Sequence, residues 1–74
     1  MQVSNMDIDN LLGPGEHKYD AIRFKLAQAC LRVNAGNTLT NKQHCDLDDL
    51  ELKRNGKLLM KGNVFMYEVL KVPC

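Results

Sequence analysis

Residues 50–72 read LELKRNGKLLMKGNVFMYEVLKV. Asn55-Gly56 and Gly62-Asn63 within this stretch are typical of two-residue hairpin turns, because Asn and Gly accept the positive φ angles that such turns require. The two dipeptides stand one short strand length apart, and apolar, β-branched and aromatic residues flank them. This stretch decides the predicted fold, which contains a three-stranded antiparallel meander with turns at the two dipeptides.

The turn at Gly62-Asn63 sets the register of the second predicted hairpin. In this register Lys57 faces Glu68, and opposite charges facing each other across a hairpin stabilise it. The strand from residue 64 to residue 72 has apolar residues on both faces. It is therefore predicted to be covered on each side.

The segment before the first turn is compatible with two structures. As a helix, residues 46–54 have Asp46 as the N-cap, acidic residues in the first turn and basic residues in the last. As a strand, they alternate leucine with polar residues and make Asn55-Gly56 a type I′ turn. We favour the strand and leave the helix open.

Residues 16–35 carry the strongest helical pattern. Apolar residues recur there at spacings of three and four and form one stripe: Tyr19, Ile22, Leu26, Cys30 and Val33. Gly36 supplies a left-handed C-terminal cap. Phe24, Ala27 and Leu31 form a second apolar line, about 120° around the helix. One helix and one small sheet cannot cover both lines, so we expect Phe24 and Leu31 to contact a second copy or a protein partner.

The first fifteen residues are acidic and apolar and end at Gly13-Pro14-Gly15. Ser4 or Asn5 is a suitable cap for a short helix over residues 6–12, and the alternative is a frayed arm. We divide the chain into this arm or short helix, residues 1–15, and one small domain, residues 16–74. The predicted class is α+β, with one long amphipathic helix packed on the meander.

The composition is that of a small globular protein. The chain has 74 residues, 26% of them charged, and a net charge of +1. This balance argues against disorder and against a strongly basic nucleic-acid binder. No apolar run approaches the roughly 18 residues of a membrane span, and no secretory signal is visible. Cysteines at positions 30, 45 and 74 suit reduced thiols in the cytoplasm.

Residues that bind metals or act as nucleophiles match no known pattern. The histidines and cysteines, His17, Cys30, His44, Cys45 and Cys74, lack the spacing of zinc ligands. His44-Cys45 has no evident acid to orient the histidine, and adjacent side chains seldom face each other. We therefore predict no enzymatic activity, no metal and no cofactor.

Charges alternate along the chain, and residues 21–45 hold four basic residues and no acidic one. Lys18, Lys25 and Arg32 recur every seven residues on the narrow solvated face of the predicted helix. This basic stripe is either an ordinary solvated face or a contact site for an acidic partner or phosphates.

Two functions are compatible with these patterns. The first, which we favour, is a non-enzymatic interaction module that forms a homodimer or binds a protein partner through Phe24, Leu31 and the basic stripe. Small domains of this kind are often inhibitors or adaptors encoded by viruses and mobile elements. The second is a winged-helix nucleic-acid binder, with residues 46–54 as the recognition helix and Lys57 and Lys61 on the wing. Acidic residues at the start of that helix would repel phosphates, so nucleic acid is not favoured.

Overall fold

The computed structural model describes residues 2–71. In this part of the chain four helices and one two-stranded sheet follow one another in the order α1 (Asn5–Leu12), α2 (Tyr19–Asn34), α3 (Asn41–Asp49), β1 (Lys53–Arg54), β2 (Lys57–Leu58) and α4 (Met60–Leu70). Helix α2 lies at the centre, packed along α4 and in contact with α1, α3 and β2. No helix of the described residues is long and apolar enough to cross a bilayer.

The predicted short N-terminal helix is confirmed as α1, which begins after Ser4. The Ser4 hydroxyl accepts a hydrogen bond from the Asp7 amide at 3.1 Å, and the Asp7 carboxylate accepts one from the Ser4 amide at 3.0 Å. Such reciprocal capping satisfies two amide groups that have no partner inside the helix. Ile8 of α1 and Val3 before it are fully buried in the core.

Arg23 of α2 holds this N-terminal segment in place. Its guanidinium donates to the Val3 carbonyl at 2.8 Å and to the Asp20 carboxylate at 3.0 Å, and it also donates to the Asn5 side chain. One planar guanidinium can serve several acceptors at once because its N–H groups are fixed in a fork. Helix α1 and helix α2 therefore pack into one core.

Helix α3 corrects part of the sequence prediction. It begins after Thr40, whose hydroxyl accepts from the Gln43 amide at 3.2 Å while the Gln43 side chain accepts from the Thr40 amide at 2.9 Å. Asp46 lies inside this helix and is not an N-cap. The preferred strand over residues 46–54 is wrong for its first half, since α3 continues to Asp49, and holds only for Lys53–Arg54.

The first predicted turn is confirmed. Asn55 and Gly56 have φ angles of 54° and 78°, as a type I′ turn requires at both central residues. Arg54 pairs with Lys57 and Lys53 pairs with Leu58 across the turn.

The second predicted hairpin is wrong, because Gly62 and Asn63 lie inside helix α4. Gly62 packs against the backbone of Leu52. A β carbon at position 62 would lie 3.1 Å from the Leu52 carbonyl carbon and closer still to its oxygen. Glycine is present here because the helix approaches another backbone closely, and not because a turn is needed. Val72, the end of the predicted strand, lies outside the described residues.

The α+β class is confirmed in outline, but the detailed architecture is wrong. The predicted single long helix on a three-stranded meander is replaced by four helices and a two-stranded sheet within residues 2–71. The core lies between these elements and consists mainly of aliphatic side chains, with one phenylalanine and one methionine from α4: Val3, Ile8, Leu26, Ala27, Ala29, Cys30, Leu39, Leu47, Leu50, Leu52, Phe65 and Met66.

Gly62→Ala should lower the free energy of unfolding by at least about 2 kcal/mol, within or above the usual range for overpacking. In an open helix the same change stabilises by roughly 0.5–1 kcal/mol, so the close approach to Leu52 reverses the sign. Gly36→Ala is the matched control, since its β carbon meets nothing within 4 Å and only its positive φ is strained. Urea unfolding followed by circular dichroism measures both. A neutral or stabilising Gly62→Ala would show that α4 does not approach Leu52 this closely.

Lys53 is the one charged side chain that is buried among residues 2–71, and its Nζ atom lies 2.8 Å from the half-exposed Asp48 carboxylate. Asp48→Ala should destabilise the protein by about 1–3 kcal/mol, because it leaves a buried ammonium group without its partner. Lys53→Met should cost less, because no charge is then left unpaired. Asp49→Ala, in the same turn of α3 but exposed, should stay within about 0.5 kcal/mol. Equal losses for Asp48→Ala and Asp49→Ala would show that the ion pair has no structural role.

Candidate protein-binding surface

Helix α4 has large apolar side chains on the side that faces away from the core. Gly62, Phe65 and Met66 are buried. Met60, Val64 and Tyr67 lie at positions i, i+4 and i+7, which places them on one line roughly opposite the buried residues. Their exposed fractions are 82%, 38% and 53%. This line spans about 10 Å along the helix.

Helix α2 adds two exposed apolar side chains beside α4. Phe24 and Leu31 are 48% and 37% exposed, and their seven-residue spacing places them on one line. Ala27, on the same side of α2, is fully buried. The sequence predicted Phe24 and Leu31 as interface residues, and the structure leaves both open to solvent.

The two apolar lines belong to two helices that pack against each other. Phe24 borders a groove together with Glu68 and Val69, near the end of α4, and the other end of α4 follows β2, which also contacts α2. Val64 lies one turn before Glu68 on α4. We call the five residues Phe24, Leu31, Met60, Val64 and Tyr67 the α2–α4 surface.

The α2–α4 surface has an apolar area typical of a functional patch on a monomer. Its exposed fractions add up to between two and three whole residues, on the order of 500 Å² if a large apolar residue presents roughly 200 Å². The largest apolar patch on a typical monomer is about 300–600 Å² and is often functional.

The basic stripe predicted from the sequence lies on another flank of α2. Lys18 precedes the helix as its N-cap residue and is exposed. Lys25 borders a groove formed with α1 and α3. The Arg32 guanidinium donates twice to the Thr38 carbonyl, at 3.2 and 2.8 Å, and so ties the α2–α3 loop to the end of α2. The structure does not bring these three residues together with Phe24 and Leu31.

The two lysines of the predicted wing have separate surroundings. Lys57 is exposed on β2. Lys61 lies on α4, where its Nζ atom donates to the Leu50 carbonyl at 3.0 Å and links α4 to the end of α3. No wing follows β2, because the chain continues directly into α4.

The potential metal ligands are dispersed. Among residues 2–71 no three His, Cys, Asp or Glu side chains lie close enough to share an ion. Cys30 is buried in the core, and this burial raises the pKa of its thiol to about 12. Cys45 is exposed on α3, and Cys74 lies outside the described residues.

His17 belongs instead to a polar cluster at the α1–α2 connection. Its Nε2–H group donates to the Gly13 carbonyl at 2.8 Å, and its ring meets the Tyr19 ring edge to face with centroids 5.9 Å apart. The Tyr19 hydroxyl donates to the Asp9 carboxylate at 2.9 Å. This hydrogen bond is the main reason that the pKa of Tyr19 lies above its usual value of 10.0. The cluster fixes the end of α1 against the start of α2.

The chain matches no protein-family model, no curated protein and no solved structure. The α2–α4 surface therefore rests on its geometry. Sequence reasoning missed Met60, Val64 and Tyr67 as surface residues because it assigned them to strands. Their i, i+4, i+7 spacing was the available signal, and it becomes informative once residues 60–70 are recognised as a helix.

The two described thiols should differ strongly in reactivity. In a Cys74→Ser variant, one thiol should react with Ellman's reagent in the native state, namely the exposed Cys45. Cys30 should react only after unfolding, because burial excludes the reagent and the raised pKa leaves little thiolate at neutral pH. Cys45→Ser in the same background should abolish the fast reaction. Rapid reaction of two thiols in native buffer would contradict the buried position of Cys30.

Proposed function

We propose that this protein is a non-enzymatic interaction module of the cytoplasm and that the α2–α4 surface is its binding site. The outward line of Met60, Val64 and Tyr67 carries this proposal. A helix of a small domain normally turns polar residues to solvent on the side opposite its core, whereas α4 places two large apolar side chains and a tyrosine there. Tyrosine is also favoured at interfaces, because it combines a large apolar area with a polar end.

The partner that the surface fits best is a second copy of this chain. A two-fold axis brings the same patch of both copies together, and an antiparallel pair of α4 helices buries both outward lines at once. With the axis near residues 64 and 65, Glu68 of one copy lies beside Lys61 of the other. Opposite charges then flank the apolar contact, which favours this arrangement.

The size of the surface indicates a weak dimer. Two copies would bury about 1,000 Å² in total from the roughly 500 Å² on each, which is at the low end of specific interfaces. We therefore expect association in the micromolar range. At low concentration the chain is monomeric, so a partner protein can bind the same surface in place of the second copy. An inhibitor or adaptor role of viral or mobile-element type is our hypothesis for that second use.

Light scattering between about 5 and 500 µM should show a shift from monomer to dimer, since this range brackets weak interfaces. Tyr67→Glu and Phe24→Asp should keep the chain monomeric throughout, because each places a charge in the apolar contact. Asn41→Asp is the matched control, an added charge on an exposed position of α3 that belongs to neither apolar line, and should dimerise as the natural chain does. Circular dichroism checks that each variant is folded. A natural chain that stays monomeric, or a folded Tyr67→Glu variant that still dimerises, would refute the proposed dimer.

The same measurement with added duplex DNA at near-physiological salt distinguishes the winged-helix alternative. The proposal predicts no change in mass when DNA is added. A monomer that gains mass only with DNA, and loses this gain on charge reversal of Lys57 and Lys61, would replace the interaction module by a nucleic-acid binder.

A further inference from the structure

A second apolar depression lies between helices α1, α2 and α3. It has a volume of about 310 Å³, and we call it the three-helix groove. Its walls are mainly aliphatic, and its polar lining comes from α2, from α3 and from the cap of α3: Leu11, Leu12, Ile22, Lys25, Leu26, Ala29, Thr40, Lys42, Gln43 and Asp46. The volume is roughly twice that of a 150 Å³ cavity that holds benzene, so the groove accommodates about two large apolar side chains.

The three-helix groove is separate from the α2–α4 surface. Ile22, Lys25 and Ala29 line it from one flank of α2. Phe24 and Leu31 lie on another flank, more than 90° around the helix at about 100° per residue. One molecule bound in the groove therefore leaves the α2–α4 surface free.

The rim of the groove is positively charged. Lys25 and Lys42 both line it, and the only acidic residue of the lining, Asp46, lies 3.4 Å from the Lys42 ammonium. The Lys42 side chain is 72% exposed, so it remains open to another carboxylate on its solvent side. The first turn of α3 also borders the groove, and the N-terminal end of a helix attracts negative charge.

A neighbouring groove shows that this charge is local. The groove between α1 and α3 shares Leu11 but carries two carboxylates and no cation: Asp7, Asn10, Leu11, Asp49 and Leu50. The two grooves have opposite charge although the whole chain carries only +1. The charge of the lining therefore distinguishes the three-helix groove from its neighbour.

We propose that the three-helix groove binds a short acidic amphipathic helix of a partner protein. Two leucine-type side chains one turn apart fill the apolar floor, and carboxylates beside them meet Lys25 and Lys42. Helix-in-groove recognition commonly uses apolar anchors at such spacings. This second site goes beyond the proposed function, because a module with two separate surfaces can join two proteins and so act as an adaptor.

Two synthetic helical peptides of about 16 residues, long enough for four turns, test the proposal. Both carry leucine at i and i+4, and one has Glu and the other Lys at the flanking positions. In titrations of ¹⁵N-labelled protein, the Glu peptide should shift the amides of Leu12, Ile22, Ala29 and Lys42. The Lys peptide should bind at least about tenfold more weakly, because it meets like charge.

Substitutions at the rim provide the matched comparison. Lys25→Glu should weaken binding of the Glu peptide about tenfold or more. Lys18→Glu makes the same charge change at the N-cap of α2, seven residues before Lys25 and outside the groove lining, and should have less than about a twofold effect. Tyr67→Glu should bind the Glu peptide as the natural chain does, so a failure of the α2–α4 proposal does not affect this result.

Several outcomes would overturn the proposal. These are the absence of shifts with the Glu peptide up to about 1 mM, the upper limit of a useful affinity, equal binding of both peptides, and shifts centred on α4. Dodecanoate is a further probe. If it fills the groove while the Glu peptide does not, the groove is a site for a small anionic amphiphile and not for a helix.

Discussion

The close contact between Gly62 and Leu52 is the constraint on which the rest of the fold depends. The Leu52 carbonyl also accepts a hydrogen bond from the Leu59 amide at 3.0 Å, and the Leu52 side chain is fully buried. One residue thus joins the end of the hairpin, the start of α4 and the core. Because position 62 has no side chain, α4 lies directly on this backbone and runs back along α2.

This path of α4 creates the exposed apolar surface. With Gly62, Phe65 and Met66 turned to the core, the helical repeat turns Met60, Val64 and Tyr67 to solvent. Helix α2 is covered by α4 on one flank and borders α1 and α3 on the other. The two flanks of α2 therefore differ in polarity. One carries the exposed apolar side chains Phe24 and Leu31, and the other borders the three-helix groove with its two lysines.

The sequence predicted the locally determined features correctly. The cap of α1, predicted at Ser4 or Asn5 and found at Ser4, the Asn55-Gly56 turn and the left-handed Gly36 follow from hydrogen bonds and φ preferences within a few residues. The sequence-based prediction is wrong for residues 60–70. Apolar residues on both faces of residues 64–72 are typical of a covered strand, and Gly62-Asn63 is typical of a turn, but residues 60–70 form a helix. Phe24 and Leu31 could be proposed as exposed apolar residues because they lie on a helix that the sequence pattern predicts. Met60, Val64 and Tyr67 were missed because their shared face exists only in a helix.

The amino-acid sequence by itself therefore determined that a short helix can begin at Ser4 or Asn5, that α2 ends before Gly36, where the chain reverses at the first hairpin, and which positions of α2 are apolar. Each of these depends on interactions between residues close in the chain. Only the tertiary structure decided that residues 60–70 form a helix and that Gly62 serves a close backbone approach. The physical reason is that a glycine in a helix is unfavourable locally and is retained here by packing against Leu52, ten residues earlier in the chain. The same packing decides which apolar residues of α4 remain outside the core.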